Sequence, residues 1–318
     1  MHPAYSVIFL TTATGAGYGL LALLGILRAL DQLPHDRAFG LIALGLALAL
    51  ITAGLLISTA HLGRPERSWR AFSQWRSSWL SREGVLAVAG YGPALLFAFA
   101  WLVLQRNDGI WQWAGPAAAV MSIATVYATA MIYRSLAAIP RWHHPLVPSA
   151  YLVMALATGA LWLNALLAPF SGGNEVVNAL CFAALAAAWL VKIAYWRSID
   201  GAVGESTTAT ATGLTGLVNE GPVRPLDPPH VQDNYLLKEM GYTIGQKHAA
   251  KLRRLTHLMA FLVPLVLIIV QTGTSGPLSF AAAALAAVCI SFGVIIERWL
   301  FFAEAQHKVM LYYGADRI

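Results

Sequence analysis

Eight apolar runs constrain this chain more than any other feature of its sequence. They fall near residues 4–30, 38–60, 84–104, 115–138, 147–168, 176–196, 255–272 and 278–303. Each is close to the roughly 20 residues a helix needs to cross the hydrocarbon core of a bilayer. Of the 318 residues, 58% are hydrophobic and only 11% are charged, where a soluble domain carries about 25% charged residues. Ten-residue segments of alternating polarity, the signature of a membrane β-barrel, are not found in the sequence. The fold class that follows is an all-α integral membrane protein, with residues 1–318 forming a single eight-helix domain. Met1-His2-Pro3 has no basic n-region and the first run leads to no small-residue cleavage site, so the first helix is expected to be retained.

An even number of spans puts both termini on one side of the membrane. Eighteen of the 21 lysines and arginines then lie on that side or at the adjoining helix ends, and only Arg28, Arg37 and Arg106 lie on the other. The positive-inside rule places the termini and the 61–83, 139–146 and 197–254 loops in the cytoplasm. The basic isoelectric point, near 9.4, follows from this topology and calls for no nucleic-acid partner. Cys181 and Cys289 both sit inside apolar runs. They form no cysteine cluster for zinc or iron–sulfur ligation and read as buried thiols.

The stretch from His61 to Glu83, HLGRPERSWRAFSQWRSSWLSRE, carries five arginines, four aromatic residues and two glutamates between two apolar runs. Gly63 and Pro65 end the second helix, which leaves His61 in its last turn. Trp69, Phe72, Trp75 and Trp79 recur at spacings of three, three and four. That pattern predicts an amphipathic helix lying in the bilayer interface between helices 2 and 3. Such a segment anchors the chain to lipid and forms a lid, with Trp69 on it, over anything bound between those helices. Glu83 is expected at the N-terminus of helix 3, where the helix dipole favours its anion. A carboxylate and an imidazole at the membrane edge suit proton transfer near neutral pH. Arg64 or Arg82 is expected to stand beside Glu83 as its counter-charge. Each of these residues also has a plain alternative: His61 as an interfacial histidine, and Glu83 as a helix cap with an arginine partner.

Other candidates are more scattered. Thr11 lies in the small, weakly polar section of helix 1, which tight helix packing also explains. Tyr127 and Tyr133, near the end of helix 4, are candidate donors to a ligand carbonyl, and Tyr133 also suits an interfacial belt. Lys192 and Glu297 are charges at membrane depth and form a possible pair. His143 and His144 are adjacent and lack metal-ligand spacing, so no metal site is expected. His61 and His257 are the conceivable haem pair, but both have interfacial explanations and haem is not expected. The 197–254 loop runs from Gly/Ser/Thr-rich through Pro-rich sequence into a helical apolar repeat at Leu236, Met240, Ile244 and Leu252. A loop of this length is expected to dock a cytoplasmic partner.

Four stretches together resemble one known family: MHPAYSVIFLTT, HLGRPERSWRAFSQWRSSWLSRE, MIYRSLAAIPRW and ERWLFFAEAQH. They are similar to the membrane-anchor subunits of dimethyl sulfoxide reductase and related molybdopterin oxidoreductases. The resemblance covers nearly the whole chain. It implies a subunit of the bacterial inner membrane that exchanges electrons between quinone, either ubiquinone or menaquinone, and an iron–sulfur subunit. That partner in turn serves a molybdopterin catalytic subunit, and both partners lie on the cytoplasmic side. The iron–sulfur clusters and molybdopterin belong to the partners. The family's quinone-site histidine and glutamate match His61 and Glu83. The long loop, PPH…NYLLKEMGY…KHAAKLRRL, is similar to that of membrane subunits of quinone-linked sulfite dehydrogenases, which implies sulfite oxidation. A reductase anchor that oxidises menaquinol remains the alternative. A secondary transporter is the rival from another class, although no internal repeat or broken midplane helix supports it.

Overall fold

The computed structural model describes residues 2–59, 64–171, 174–201, 206–213, 226–227, 232, 234–240, 244–315 and 318. The described residues contain no strand and eight helices long and apolar enough to cross a membrane. These begin with α1 (Tyr5–Ala29) and α2 (Arg37–Thr59). Next come α3 (Trp79–Phe99), extended by a π-helical turn over Ala100–Leu104, then α4 (Ala114–Arg134), α5 (Leu146–Ser171) and α6 (Glu175–Gly201). Three short helices follow: α7 (Thr208–Thr212), α8 (Tyr235–Met240) and α9 (Ile244–Thr256). The last two spans are α10 (Val263–Thr272), which α9 enters through a π-helical turn at His257–Leu262, and α11 (Gly276–Ala303). Pro264 has no N–H to return to the preceding turn, and that is a physical reason for the wider winding just before it.

Three of the eight spans start four or more residues earlier than the apolar runs suggest. The fourth span begins at Trp111. The seventh span begins at Lys247, because the amphipathic helix of the long loop continues into it. The third begins at Trp79, capped by the side chain of Ser78, which accepts from the Ser81 N–H. Glu83 therefore stands in the second turn of α3, beyond the reach of the helix-dipole argument made from sequence.

The segment between α2 and α3 is helical but tighter than expected. A 3₁₀ helix runs from Pro65 to Gln74. Side chains three apart eclipse one another in this geometry, which aligns Trp69, Phe72 and Trp75 along one exposed edge. Trp79 belongs to α3 instead. Arg70 and Arg76 lie over the rings of Trp69 and Trp75.

Helices α1 and α5 are the most enclosed of the eight. Their backbones meet where Gly19 faces Ala155 and Gly159 faces Gly19 and Leu20. A methyl group at either glycine would overlap opposing backbone. In lipid, close packing of this kind replaces hydrophobic burial as the force between helices. Gly159→Ala is expected to lower stability by about 1–3 kcal/mol or more, read as reduced yield and melting temperature of the detergent-solubilised protein. An unchanged melting temperature would show that the crossing is not where this structure puts it. Nearer the end of α10, the amides of Asn164 and Gln271 pair reciprocally at 2.7 and 3.1 Å, joining α5 to α10.

Both chain ends meet parts of the long loop. The His2 N–H donates to the Glu239 carbonyl at 2.6 Å. The Ile318 N–H donates to the Ser206 carbonyl at 3.0 Å. Arg253 joins Glu304 and Asp200 near the same end of the bundle, where Arg141 also reaches Glu304.

Candidate functional site

Glu83 is buried, with 7% of its surface exposed, on the inner face of α3. Its carboxylate Oε1 accepts a 2.6 Å hydrogen bond from the Thr129 hydroxyl of α4. The same hydroxyl lies 3.0 Å from the Thr125 carbonyl. A hydroxyl has one proton and can both donate and accept. With Glu83 ionised, Thr129 donates to it. With Glu83 protonated, the carboxyl donates to Thr129, which turns its own proton to Thr125. The pair therefore accommodates either charge state without moving a backbone atom, which suits a group that takes up and releases protons.

The expected arginine partners do not reach this carboxyl. Arg82 turns back to the preceding segment, donating to the Trp75 and Arg76 carbonyls at 2.9 and 2.6 Å. Its guanidinium also lies over the Trp79 ring, 4.3 Å from the centroid. It satisfies carbonyls at the end of the 3₁₀ segment, a local bond that competes successfully with a longer reach to Glu83. Arg64 is exposed. Among the described residues no cation forms an ion pair with Glu83.

His61 lies outside the described residues. The helix that leads to it is nonetheless beside α3, because Thr52 and Tyr91 share a 2.6 Å hydrogen bond. Trp69 is exposed on the 3₁₀ segment. Phe72 of the same segment lies over Gly84, the neighbour of Glu83. Tyr127 is 41% exposed and packs edge-to-face with Trp79, so the two rings join the outer surfaces of α3 and α4. Tyr133 instead packs among Trp142, Tyr151, Phe301 and Phe302. Thr11 donates to the carbonyls of its own helix, Val7 and Ile8, and lines a small cavity described below.

Sequence reasoning missed Thr129. Its signal was available: Ser122, Thr125 and Thr129 recur at spacings of three and four on α4. All three are buried.

A buried ionic cluster lies on α6 and α11. Lys192 and Glu297 form an ion pair, as their membrane depth suggested. Arg298 Nε also donates to Glu297, at 2.5 Å. All three side chains are nearly fully enclosed. Two cations face one carboxylate, so the cluster carries a net charge of +1. Lys192 lies over the rings of Tyr195 and Trp196, and Arg298 over Tyr151.

The adjacent histidines serve the loop instead. His144 Nδ1 accepts from the Leu146 N–H at the start of α5, and its Nε2 pairs with Ser198. Burial, then the charge of Arg134, lowers its pKa. That keeps Nδ1 free to accept.

Over residues 1–314 the chain matches the family described as DMSO reductase anchor subunit (DmsC). It is 34% identical to a sulfite dehydrogenase subunit from Allochromatium vinosum, across 98% of this chain and 99% of that one. No solved structure matches it.

Proposed function

The chain belongs to the DMSO reductase anchor subunit family, and from that premise we propose that it is the quinone-reactive membrane subunit of a sulfite-oxidising molybdopterin complex. Sulfite is oxidised in the molybdopterin subunit. An iron–sulfur subunit carries the electrons to a quinone held at the α2–α3 end of the bundle. Quinone takes up two electrons and two protons to become quinol. His61 hydrogen-bonds a quinone carbonyl and delivers a proton. Glu83 reloads His61, and Thr129 holds Glu83 in whichever charge state it has. Trp69, Phe72 and Trp75 seat the connecting segment in the membrane interface and close over the ring. Tyr127 and Trp79 supply the outer wall, and Arg64 borders it. Thr11 faces the threonine-lined cavity, and Tyr133 acts through packing against Tyr151 and its neighbours.

The observation that carries this reading is the buried Glu83 carboxyl with a hydroxyl partner suited to both of its charge states. The charge bias along the chain supports a cytoplasmic position for both termini, the long docking loop and the partner subunits. On that arrangement electrons and protons enter from one side, and the step moves no net charge across the membrane. The family match equally supports a reductase anchor that runs the same site in reverse, oxidising menaquinol for dimethyl sulfoxide or a related acceptor.

The test is purification from the native membrane through a tag on this chain. Iron–sulfur and molybdopterin subunits are expected to follow it, with sulfite-dependent quinone reduction that quinone analogues inhibit. A complex that oxidises quinol with dimethyl sulfoxide and ignores sulfite would reverse the direction. A chain that purifies alone from intact membranes would overturn the proposal.

A further inference from the structure

A small cavity separates Glu83 from the ionic cluster. Thr129 lines it together with Thr11, Thr14 and Thr158, and Tyr151 and Arg298 close it from α5 and α11. Its volume is about 20 Å³, and a polar site needs about 10–15 Å³ to hold one water. The hydroxyls of Thr11, Thr14 and Thr158 donate to carbonyls of their own helices, and that of Thr129 to Glu83 or to Thr125, which leaves oxygen lone pairs available in the cavity. Arg298 Nη1 and the Tyr151 hydroxyl are both buried against each other, and among the described residues neither completes a hydrogen bond of normal geometry. A buried donor without a partner is costly, and ordered water at such places is part of the structure.

Glu83 has the complementary problem. Its anion has one neutral hydrogen-bond partner and no ion pair among the described residues. Among the described residues, the titratable groups on which Glu83 acts electrostatically are Tyr18 on α1, Tyr133 on α4 and Tyr151 on α5. All are neutral in their ordinary state. The cluster on α6 and α11 lies behind the cavity, with Lys192, Glu297 and Arg298 summing to +1; the buried Glu304 is also within reach of Lys192 but is bonded to Arg253 and Arg141.

We propose that the cavity holds an ordered water linking the Glu83–Thr129 pair to Arg298, and that the Lys192–Glu297–Arg298 cluster is the counter-charge against which Glu83 ionises. The proposal rests on the reading of Glu83 as a proton carrier for quinone. Arg298 acts through the water as a positioning residue. No covalent bond changes: when Glu83 passes its proton toward quinone, the anion left behind faces a preorganised positive charge instead of hydrocarbon. The role that sequence assigned to Arg64 or Arg82 thus falls to a residue more than 200 positions downstream.

Two variants of the assembled complex test it. Lys192→Met takes the cluster from +1 to neutral and leaves the Arg298–Glu297 bond in place. Without the counter-charge the Glu83 anion is harder to form, so the low-pH limb of quinone turnover is expected to move to higher pH. Gly15→Ala adds a methyl to the cavity wall whose nearest neighbour, the Ala155 side chain, is at an ordinary 3.9 Å. With the water displaced, quinone turnover is expected to fall about fivefold to tenfold, the rate equivalent of roughly one hydrogen bond. Oxidation of sulfite with an artificial acceptor stays unchanged in both. Wild-type rate and pH profile in either variant overturns the inference. So does a density map of the complex that resolves bound waters and shows none at Arg298 Nη1. Full quinone turnover in Glu83→Gln would instead overturn the quinone site itself. An inactive Glu83→Gln beside a wild-type Lys192→Met or Gly15→Ala removes only the water and counter-charge.

Discussion

Glu83→Gln is expected to assemble normally and to lose quinone turnover by about 10²-fold or more, the contribution of a positioned proton carrier. The amide oxygen still accepts from Thr129, so the contact between α3 and α4 survives. What disappears is the exchangeable proton. Sulfite oxidation read with an artificial electron acceptor should match wild type, because the electrons are intercepted before they need this chain. The measurement is the ratio of the two activities in one preparation. Equal loss of both would point to failed assembly, and an unchanged ratio would remove Glu83 from the mechanism. Gln is the informative replacement because it keeps volume and hydrogen bonding while removing titration.

The largest effect on stability is expected from Glu297→Gln. Glu297 is the anion between Lys192 and Arg298, and its own surface is fully enclosed. Neutralising it leaves two buried cations facing each other with nothing between them. Breaking a buried ionic group in this way costs about 3–5 kcal/mol, because the charge left behind is uncompensated. Lys192→Met should be far milder, since Glu297 keeps the 2.5 Å bond from Arg298 and the methionine keeps apolar contact with Tyr195 and Trp196. The comparison of melting temperatures in detergent isolates charge balance from side-chain size. If Lys192→Met proved as damaging as Glu297→Gln, the cluster would matter through packing and not through its charges.

Much of the fold was legible in the residues themselves. Hydropathy summed over about 20 residues is a local property, because each span must satisfy its backbone within one helix. That is why all eight spans could be read from the runs, although the third, fourth and seventh begin four to eight residues earlier than the runs do. The family was legible for a similar reason: its motifs are contiguous stretches, such as the one from His61 to Glu83. The Lys192–Glu297 pair was also within reach, since charges at membrane depth have few ways to be satisfied.

What the sequence could not determine was which polar groups share an interior. Spacing along the chain made Arg82 look like the partner of Glu83, one position away. The structure turns Arg82 outward to the Trp75 and Arg76 carbonyls and brings Thr129 to the carboxyl from 46 residues off. It also puts Tyr151 and Arg298 on the wall of the threonine-lined cavity. These meetings depend on how each helix is rotated and where it crosses its neighbours. Those angles follow from backbone contacts such as Gly19 against Ala155 and Gly159, and short-range patterns carry no record of them. The sequence by itself determined that the chain is an eight-span membrane protein and which stretch bears its charges. Only the tertiary structure decided which of those charges and hydroxyls face one another.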